Sequence, residues 1–504
     1  MRIFRHSAFL LIGLVVSGIT TASAQSAESV LTLPDAIRQA LANNYTIKAQ
    51  AFGTNASRAD LAAEWGRFDP AFNGNYTFSE DGSPQSADPF SGNRPPSSVV
   101  ESDTYNLGVG GTTPWGLSYR LTAFSQNQRG TFNAFADNYF TFAGIEATQP
   151  LLRDFGFDSN LFGVRLAKAA HGQSRWAYRQ TVMNTVTNVI AAYLELDFAM
   201  KNLEIARRSR DLAHSLLEEN EKRFQAGSLS EADVTSARTR VATREEAILF
   251  AERGVTLSKN NLKRLISSNK TTSLLDRDLM IVKPTPLPPH TPNPAVEFPT
   301  ALEIRPDYQQ AKLQVQRAKV NRRYRRNQYR PRVDLVGSYG YNGLDARVSE
   351  SQRQVLDREI RSYSIGAVVS VPFTFKSERN LYRSAKLTEQ QAEAQLAMVE
   401  QNIVVSIGNA ANQIDTAVKR VEVSRESLDL AELALDAELK KLRAGTGSTF
   451  FVLAQQEILA GAEISAYRAE VDLQLALAEY DRQLALTLEK HRITIEGDTQ
   501  TSLN

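Results

Sequence analysis

The chain has 504 residues, of which 42% are hydrophobic and 23% charged, and it contains no cysteine. This composition is typical of folded protein, and the length suits about three ordinary domains. The lack of cysteine excludes disulfides, thiolate metal sites, catalytic thiols and a lipidated cysteine. The five histidines are scattered and form no HExxH-type metal motif. We therefore expect no cofactor, no metal centre and no enzymatic activity.

The N-terminus has the pattern of an export signal. Two arginines precede an apolar run from Phe9 to Val16, and small residues end at Ala24. The pattern predicts a cleaved signal peptide over residues 1–24, and the alternative is a membrane-anchoring helix. Cleavage removes two of the 58 basic residues, which leaves 56 against 56 acidic ones. The neutral mature chain has no general attraction for nucleic acid, and export suits a bacterial envelope.

The chain contains an internal duplication. Landmark residues recur in the same order in both halves: Leu41 with Leu302 and Pro70 with Pro331 at an offset of 261, Pro150 with Pro372 at 222, and Gly227 with Gly445 at 218. The fall in offset from 261 to 222 assigns 39 extra residues to the first copy. We expect a first repeat over residues 25–266, a linker over 267–298, a second repeat over 299–490 and a polar tail over 491–504.

The linker is rich in proline. Seven prolines lie between Lys283 and Pro299. So many prolines are incompatible with a helix and favour extended backbone. The stretch is predicted to be a stiff connector between the repeats, and the alternative is a ligand for a proline-reading partner.

Each copy contains segments that alternate apolar and polar residues with a period of two, which predicts strands. The segments are Phe72 to Ser79, an extra hairpin at about 104–127, Tyr139 to Gln149, Val333 to Tyr341, and Tyr363 to Val371. A turn is expected at Thr112 to Gly116, and a surface loop from Glu80 to Val99. The strands are rich in Tyr and Phe, which favours a lipid-facing sheet with aromatic girdles, whereas a soluble β-sandwich is the alternative.

Long helices follow the strands in both copies. The stretch from Trp176 to Ala226 lacks proline and predicts a rod of roughly 75 Å. In the second copy apolar residues step by three and four from Leu459 to Tyr480, opposite a row from Val421 to Leu442. These rows form a heptad seam, and the alanines in it permit close helix packing.

The sequence resembles the TolC-like outer-membrane efflux protein family over nearly the whole mature chain. The resemblance rests on ALANNYTIKA near the mature start, TQPLL at the strand-to-helix step, AAYLEL in the first long helix, RFQAGSLSEADV and LRAGTGSTFFVLAQQE at the helical tips, and EIRPDYQQAK opening the second copy. The resemblance implies a mainly α-helical fold with membrane β-structure. Three identical chains would share one outer-membrane β-barrel, continued across the periplasm by a hollow α-barrel of duplicated helical hairpins.

The same resemblance implies partners. They are a periplasmic adaptor protein, an inner-membrane transporter and outer-membrane lipid, with no nucleic acid. The family contributes four strands per chain, so the extra hairpin either makes six or rises as an extracellular hairpin.

Candidate site residues lie at the tips, at the tunnel entrance and at the strand-to-helix junctions. Adaptor docking is assigned to Gly227, Ser228, Leu229, Gly445, Thr446, Gly447 and Ser448, where glycine suits a left-handed turn and Ser or Thr a helix cap. These residues also suit a plain helix–helix turn. Best-known relatives carry an acidic pair after the second tip. The matching positions here are Phe451 and Ala454, which predict an apolar constriction or, alternatively, packing within the hairpin. Pro150 and Pro372 mark the junctions.

A basic cluster of eight Arg and Lys residues lies between Arg317 and Arg332. The repeat puts it on a helix entering a strand, where it would meet lipid phosphates or lie on a solvated helix face that forms ion pairs with a neighbouring chain. The sequence as a whole predicts a passive export channel that serves a tripartite efflux or type I secretion system. The alternatives are a stand-alone porin-like or structural envelope protein, and a periplasmic coiled-coil scaffold.

Overall fold

A computed structural model describes residues 30–87, 89–92, 97–276, 278–286 and 291–495. The predicted signal peptide lies outside these ranges. The helices are α1 Leu33–Asn43, α2 Tyr45–Trp65, α3 Phe157–Asn160, α4 Phe162–Gln225, α5 Glu231–Ile266, α6 Ser273–Asp276, α7 Pro294–Ile304, α8 Pro306–Gln328, α9 Val348–Leu356, α10 Lys376–Arg443, α11 Thr449–Gln483 and α12 Thr487–Lys490. The strands are β1 Ala71–Ser83, β2 Ser98–Thr112, β3 Ser118–Gly130, β4 Tyr139–Pro150, β5 Arg332–Asp345 and β6 Ile360–Ser370.

The six strands form one antiparallel sheet in the order β1-β2-β3-β4-β5-β6. The extra hairpin of the first copy is therefore part of the sheet, and its strands extend beyond the predicted 104–127, from Ser98 to Gly130. The register is continuous, because Ala71 pairs with Gly110, Gly110 with Arg120, and Arg120 with Glu146. The expected surface loop from Glu80 is shorter than predicted, since β1 continues to Ser83.

The sheet has one apolar and one polar face, because paired residues of neighbouring strands point to the same side. The apolar face carries exposed side chains on every strand: Phe72, Tyr76, Tyr105, Leu107, Leu121, Ile145, Tyr339, Tyr363, Ile365 and Val369. The polar face carries Asn75, Thr77, Asn106, Thr122, Gln126, Ser338 and Ser364, together with Phe124, Phe140 and Phe142. Exposing this apolar face to water would be energetically unfavourable.

Two long helical hairpins extend from the sheet. The first comprises α4, with 64 residues, and α5; the second comprises α10, with 68 residues, and α11. At 1.5 Å per residue α4 and α10 are about 100 Å long. The helix α4 starts at Phe162, earlier than the predicted Trp176. Gly163 and Gly172 weaken the helical pattern in sequence, but packing against α2 and α8 supports this first part.

The long helices lie side by side. The helix α4 packs on α5 and α11, and α11 packs on α10, which gives the order α5-α4-α11-α10. Closer to the sheet α4 packs between α2 and α8, and α8 packs on α10. No helix within the described ranges is both long and apolar enough to cross a membrane.

The apolar core lies where the hairpins meet the short helices. Tyr193 of α4 is fully buried, and its hydroxyl donates to the carbonyl oxygens of Leu31 (2.9 Å) and Val282 (2.6 Å). Burial raises the pKa of Tyr193 to about 12, so the phenol remains a donor. Leu31 and Ile281 form a parallel bridge beside it. Tyr193 thus joins the start of the first copy to the linker.

The linker and the described part of the C-terminal tail contain more packed structure than the sequence indicates. The proline-rich stretch is not free of helix, because α7 spans Pro294–Ile304. Pro294 occupies the first turn, where no intrahelical N–H bond is lost, and Pro299 is accommodated inside a helix whose Ala301 is buried in the core. The C-terminal tail is not entirely polar either, since Ile493 and Ile495 pack against the core.

Candidate functional site

The first tip is a capped helix–helix turn. The backbone N–H of Gly227 donates to the carbonyl of Phe224 (2.9 Å), and that of Ser228 donates to the carbonyl of Arg223 (2.9 Å). This is the Schellman pattern, and Gly227 adopts the left-handed φ of 75° that it requires. Ser230 then caps α5, and Leu229 is half-buried. Gly227 and Ser228 are exposed.

The second tip repeats the arrangement. The N–H of Gly445 donates to Leu442 O (3.2 Å), that of Thr446 donates to Lys441 O (3.0 Å), and Gly445 has φ 74°. Ser448 caps α11 by accepting from the N–H of Phe450 at 3.3 Å. Gly447 lies so close to the preceding helix that an added Cβ would be 2.7 Å from Leu442 N. A side chain at position 445 would therefore be strained by the positive φ, and a side chain at position 447 would clash with the backbone of α10.

The two tips are neighbours at one end of the protein. Leu216 of α4 packs in one cluster with Leu442 of α10 and Val452 of α11. An ion pair at 2.8 Å between Arg240 of α5 and Glu457 of α11 also links the two hairpins. The four long helices, packed in the order α5-α4-α11-α10, are called the helical wall below. Because α4 and α10 both begin beside the sheet, the tips lie at the end of the helical wall opposite the sheet.

The predicted constriction residues lie in the first two turns of α11. Phe451 is 56% exposed, and its ring stacks edge-on against the exposed ring of Phe450, with centroids 5.7 Å apart. The residues that pack inside the hairpin are Val452 and Leu453, which are almost fully buried. Ala454 is half-buried. Within one chain, Phe451 is therefore a surface residue and does not fill the hairpin.

The two junction prolines occupy different positions. Pro150 is the last residue of β4 and is paired with Asp334, whereas Pro372 follows β6 outside the ladder. After Pro150, Asp154 adopts φ 63° and its N–H donates to Asn327 Oδ1 at 2.8 Å. Asn160 donates to the carbonyl of Asp154 at 2.8 Å. These bonds fix the chain where it leaves the sheet for α4.

Four of the eight residues of the basic cluster, which runs from α8 into β5, have polar partners within the chain. Arg322 forms an ion pair with Glu389 of α10, and Lys319 lies 3.6 Å from Glu393. Arg332 bonds Asp334 at 2.6 Å, and Arg317 donates to Gln173 at 3.0 Å. Three of these contacts join α8 to α4 or α10, and the pair of Arg332 with Asp334 lies within β5, so a role in lipid binding is not needed to explain these four residues.

The sequence analysis did not identify a buried polar residue near the C-terminal end of α4. Asn220 of α4 is fully buried, and neither atom of its amide has a hydrogen-bond partner in the described part of the chain. It lies one helical turn beyond Leu216 on the same side of α4. The spacing of four residues from an apolar seam position was the signal that could have identified it.

A sheet with one exposed apolar face, joined to two helical hairpins about 100 Å long, is typical of a protein that is anchored in a membrane by its sheet and extends from it through its helices. The family model "Outer membrane efflux protein" matches residues 36–268 and 298–485, and the chain belongs to that family. The resemblance noted in the sequence is thus confirmed, and with it a place in the bacterial outer membrane and a role as an efflux channel.

Individual relatives are distant in sequence but similar in fold. The chain is 24% identical over 337 residues to the outer membrane efflux protein BepC of Brucella suis biovar 1 (strain 1330), covering 66% of this chain and 69% of BepC. The Campylobacter jejuni CmeC outer membrane channel matches with TM-score 0.67 and 14% identity, over 90% of this chain and 86% of CmeC. The outer-membrane channel OprN matches with TM-score 0.66 and 18% identity, over 90% and 89%.

Proposed function

We propose that three copies of this chain close one channel, which serves as the passive outlet of a tripartite efflux or type I secretion system. A periplasmic adaptor docks on the tips and couples the channel to an inner-membrane transporter. The observation that carries the proposal is the combination of one exposed apolar sheet face with two capped tips at the far end of the helical wall. A stand-alone porin would have no use for such tips.

The sheet supports association of copies. The edge strands β1 and β6 each pair on one side only within the described chain. Unpaired strand edges are not tolerated in lipid, so a spanning sheet must close on itself. Six strands are too few to enclose an aqueous pore, whereas a ring of identical copies removes every edge. A rotationally symmetric oligomer is the simplest closed form.

The outermost helices, α5 and α10, also support the association of copies. Leu249, Phe250 and Leu257 on α5 are 59–67% exposed. Val423, Leu430 and Leu433 on α10 are 58–66% exposed. Phe250 and Leu257 are seven residues apart, as are Val423 and Leu430, which is the spacing of a coiled-coil seam. Since α5 and α10 are the two flanks of the helical wall, α10 of one copy would pack against α5 of the next.

Docking at the tips is supported by their rigidity and exposure. Each tip is fixed by Schellman bonds and a serine cap, so it presents a preformed backbone shape with little loss of entropy on binding. The channel is passive in this proposal, and the transporter supplies both the energy for export and the selectivity for the substrate.

The constriction is proposed at Phe451. In the proposed trimer, three exposed copies of this ring would converge near the tips, and an apolar ring blocks ions by excluding water. Ala454, one turn further along α11, would border the ring.

The docking proposal is tested at Gly445. Valine cannot readily adopt φ 74°, so Gly445→Val should distort the last turn of α10 and reduce crosslinking to the adaptor at least fivefold. The matched control is Gly461→Val, because Gly461 lies inside α11 with open space around its Cα. Both variants should still form the oligomer in the outer membrane. Full crosslinking by an assembled Gly445→Val oligomer would remove the docking role.

A further inference from the structure

The extra hairpin formed by β2 and β3 has the dimensions of a membrane-spanning element. Its strands contain 15 and 13 residues, against 12 and 14 in the neighbouring β4 and β5. A strand needs about 9–11 residues to cross a bilayer when tilted. Both extra strands are therefore long enough to span, and both are paired along their length with β1 and β4.

The extra strands also share the two faces of the sheet. Leu107 and Leu121 lie on the apolar face, with 54% and 50% of their surfaces exposed. Their neighbours in sequence, Asn106 and Thr122, lie on the polar face. A hairpin that stood above the membrane would have no reason to continue the apolar face at the level of Phe72 and Ile145, with which Val109 and Leu121 are respectively paired.

The turn between β2 and β3 fixes the orientation of the hairpin. The backbone N–H of Gly156 donates to the carbonyl of Trp115 at 3.1 Å. Gly116 lies against the carbonyl of Asp154, which follows β4 where the chain enters the helices. The turn thus lies at the helical end of the sheet, so the hairpin runs along the full height of the sheet instead of rising from its far end.

We propose that all six strands of each chain lie in the lipid-facing wall, so that three copies form a barrel of 18 strands (three times six). The inference rests on the trimer of the proposed function. With strands about 4.8 Å apart and tilted about 40°, 18 strands give a backbone diameter of about 36 Å, against about 24 Å for 12 strands. Barrels of this size leave an open aqueous channel, so the outer-membrane end would not be the narrowest point.

The partner that completes this wall is a second copy of the same chain. Its β1 edge would pair with the β6 edge of its neighbour, keeping Phe72 and Tyr76 on the same side as Tyr363 and Ile365. Only this arrangement makes the apolar face continuous around the ring, because a slip of one residue would turn the side chains of one strand inward.

Single cysteines test the position of the extra strands, since the chain has no cysteine of its own. Leu107→Cys and Asn106→Cys would each be labelled with the dye NBD in the full-length oligomer and placed in liposomes. We expect the dye at 107 to be quenched by nitroxide groups on lipid acyl chains, and the dye at 106 by aqueous iodide, each at least threefold more strongly than at the other site. Leu121→Cys and Thr122→Cys repeat the test on β3 should the first pair fail to assemble.

The pair Ile365→Cys and Ser364→Cys on β6 separates this inference from the proposed function. Alternation on β6 without alternation on β2 and β3 would overturn the 18-stranded wall and leave the channel intact. Loss of alternation on β6 as well would overturn the lipid-facing sheet itself. Native mass spectrometry of the same oligomer should give three copies, and two copies would mean 12 strands and contradict the proposal.

Discussion

Asn220 is a buried amide on α4, one helical turn beyond Leu216, which packs with Leu442 and Val452 of the second hairpin. A buried polar group without a partner costs about 1–3 kcal/mol. This cost lowers the stability of the packing around Asn220, and a polar residue in a helical seam can also fix its register.

Replacing Asn220 by leucine should strengthen the contact. Asn220→Leu keeps a similar volume and removes the unsatisfied amide, so amide hydrogen exchange in the tips should slow by about tenfold. Hydrogen exchange measured by mass spectrometry on the assembled oligomer would show it. Asn220→Asp is the control, because it buries a charge at the same place and should accelerate exchange. Faster exchange in the leucine variant would mean that the amide has a stabilising partner.

Arg305 and Asp307 join the start of α8 to the end of α11. The guanidinium donates two bonds to the Asp307 carboxylate, at 2.6 and 2.9 Å, and one to the carbonyl of Gln483 at 2.7 Å. Burial acts to raise the pKa of Asp307, but the hydrogen bonds and charge of Arg305 outweigh it, and the pKa is lowered. The carboxylate therefore stabilises the folded state when it is ionised.

The stabilisation by Asp307 should depend on pH in a defined direction. A carboxyl with a lowered folded-state pKa contributes fully above its unfolded pKa of about 4, and the contribution is lost as the pH falls through the folded value. Asp307→Asn should cost about 1–3 kcal/mol near neutral pH, since it leaves a buried guanidinium with a weaker acceptor. Thermal unfolding of both proteins from pH 7 to pH 3 should show the difference shrinking below about pH 4. A constant difference would exclude the ion pair as its cause.

At the scale of elements, β5 and β6 test which face of the sheet meets lipid. Ile365 is 78% exposed on the apolar face, and Ser364 lies on the polar face with its hydroxyl 2.8 Å from that of Ser338. Ile365→Arg should cost about 2–4 kcal/mol near the middle of the bilayer and lower the yield of protein in the outer membrane. Ser364→Arg is the matched control and should be tolerated, because its side chain lies on the polar face of the sheet. Equal yields of the two variants would contradict the assignment of faces.

The sequence predicted the individual strands and turns better than it predicted which strands pair and which segments pack on the core. Alternation identified the strands around Phe72, Tyr105 and Ile365, and glycine followed by Ser or Thr identified both tips. The pairing of β2 and β3 with β1 and β4 could not be predicted, because register depends on residues far apart in sequence. The helix α7 was missed because local proline content says nothing of the core that covers Ala301.

In the candidate site as well, local features could be predicted from the sequence and long-range packing could not. The glycine turns at 227 and 445 follow from local chemistry and could be predicted. The exposure of Phe451 could not, because it depends on which face of α11 packs against α4 and α10. Val452 and Leu453 take the buried positions, and sequence spacing alone cannot choose between neighbours in a run of apolar residues.

In the whole assembly, an export channel needs a continuous water-filled path from the tips through the sheet. The exposed phenyl ring of Phe451 is its proposed narrowest apolar point. Truncation of the ring should widen the path without adding charge. In the proposed trimer, a carboxylate at the same place should repel its two symmetry copies and also attract cations.

Single-channel current in a planar lipid bilayer shows whether the protein conducts and whether residue 451 lines its pore, with the purified wild type, Phe451→Ala and Phe451→Asp measured side by side. We expect small discrete conductance steps for the wild type and steps at least twice as large for both variants. Block by trivalent cations from the periplasmic side should occur only in Phe451→Asp. Larger steps without this block in Phe451→Asp would place residue 451 away from the pore axis. If none of the three proteins gives discrete steps, the protein is not a channel and the account is wrong.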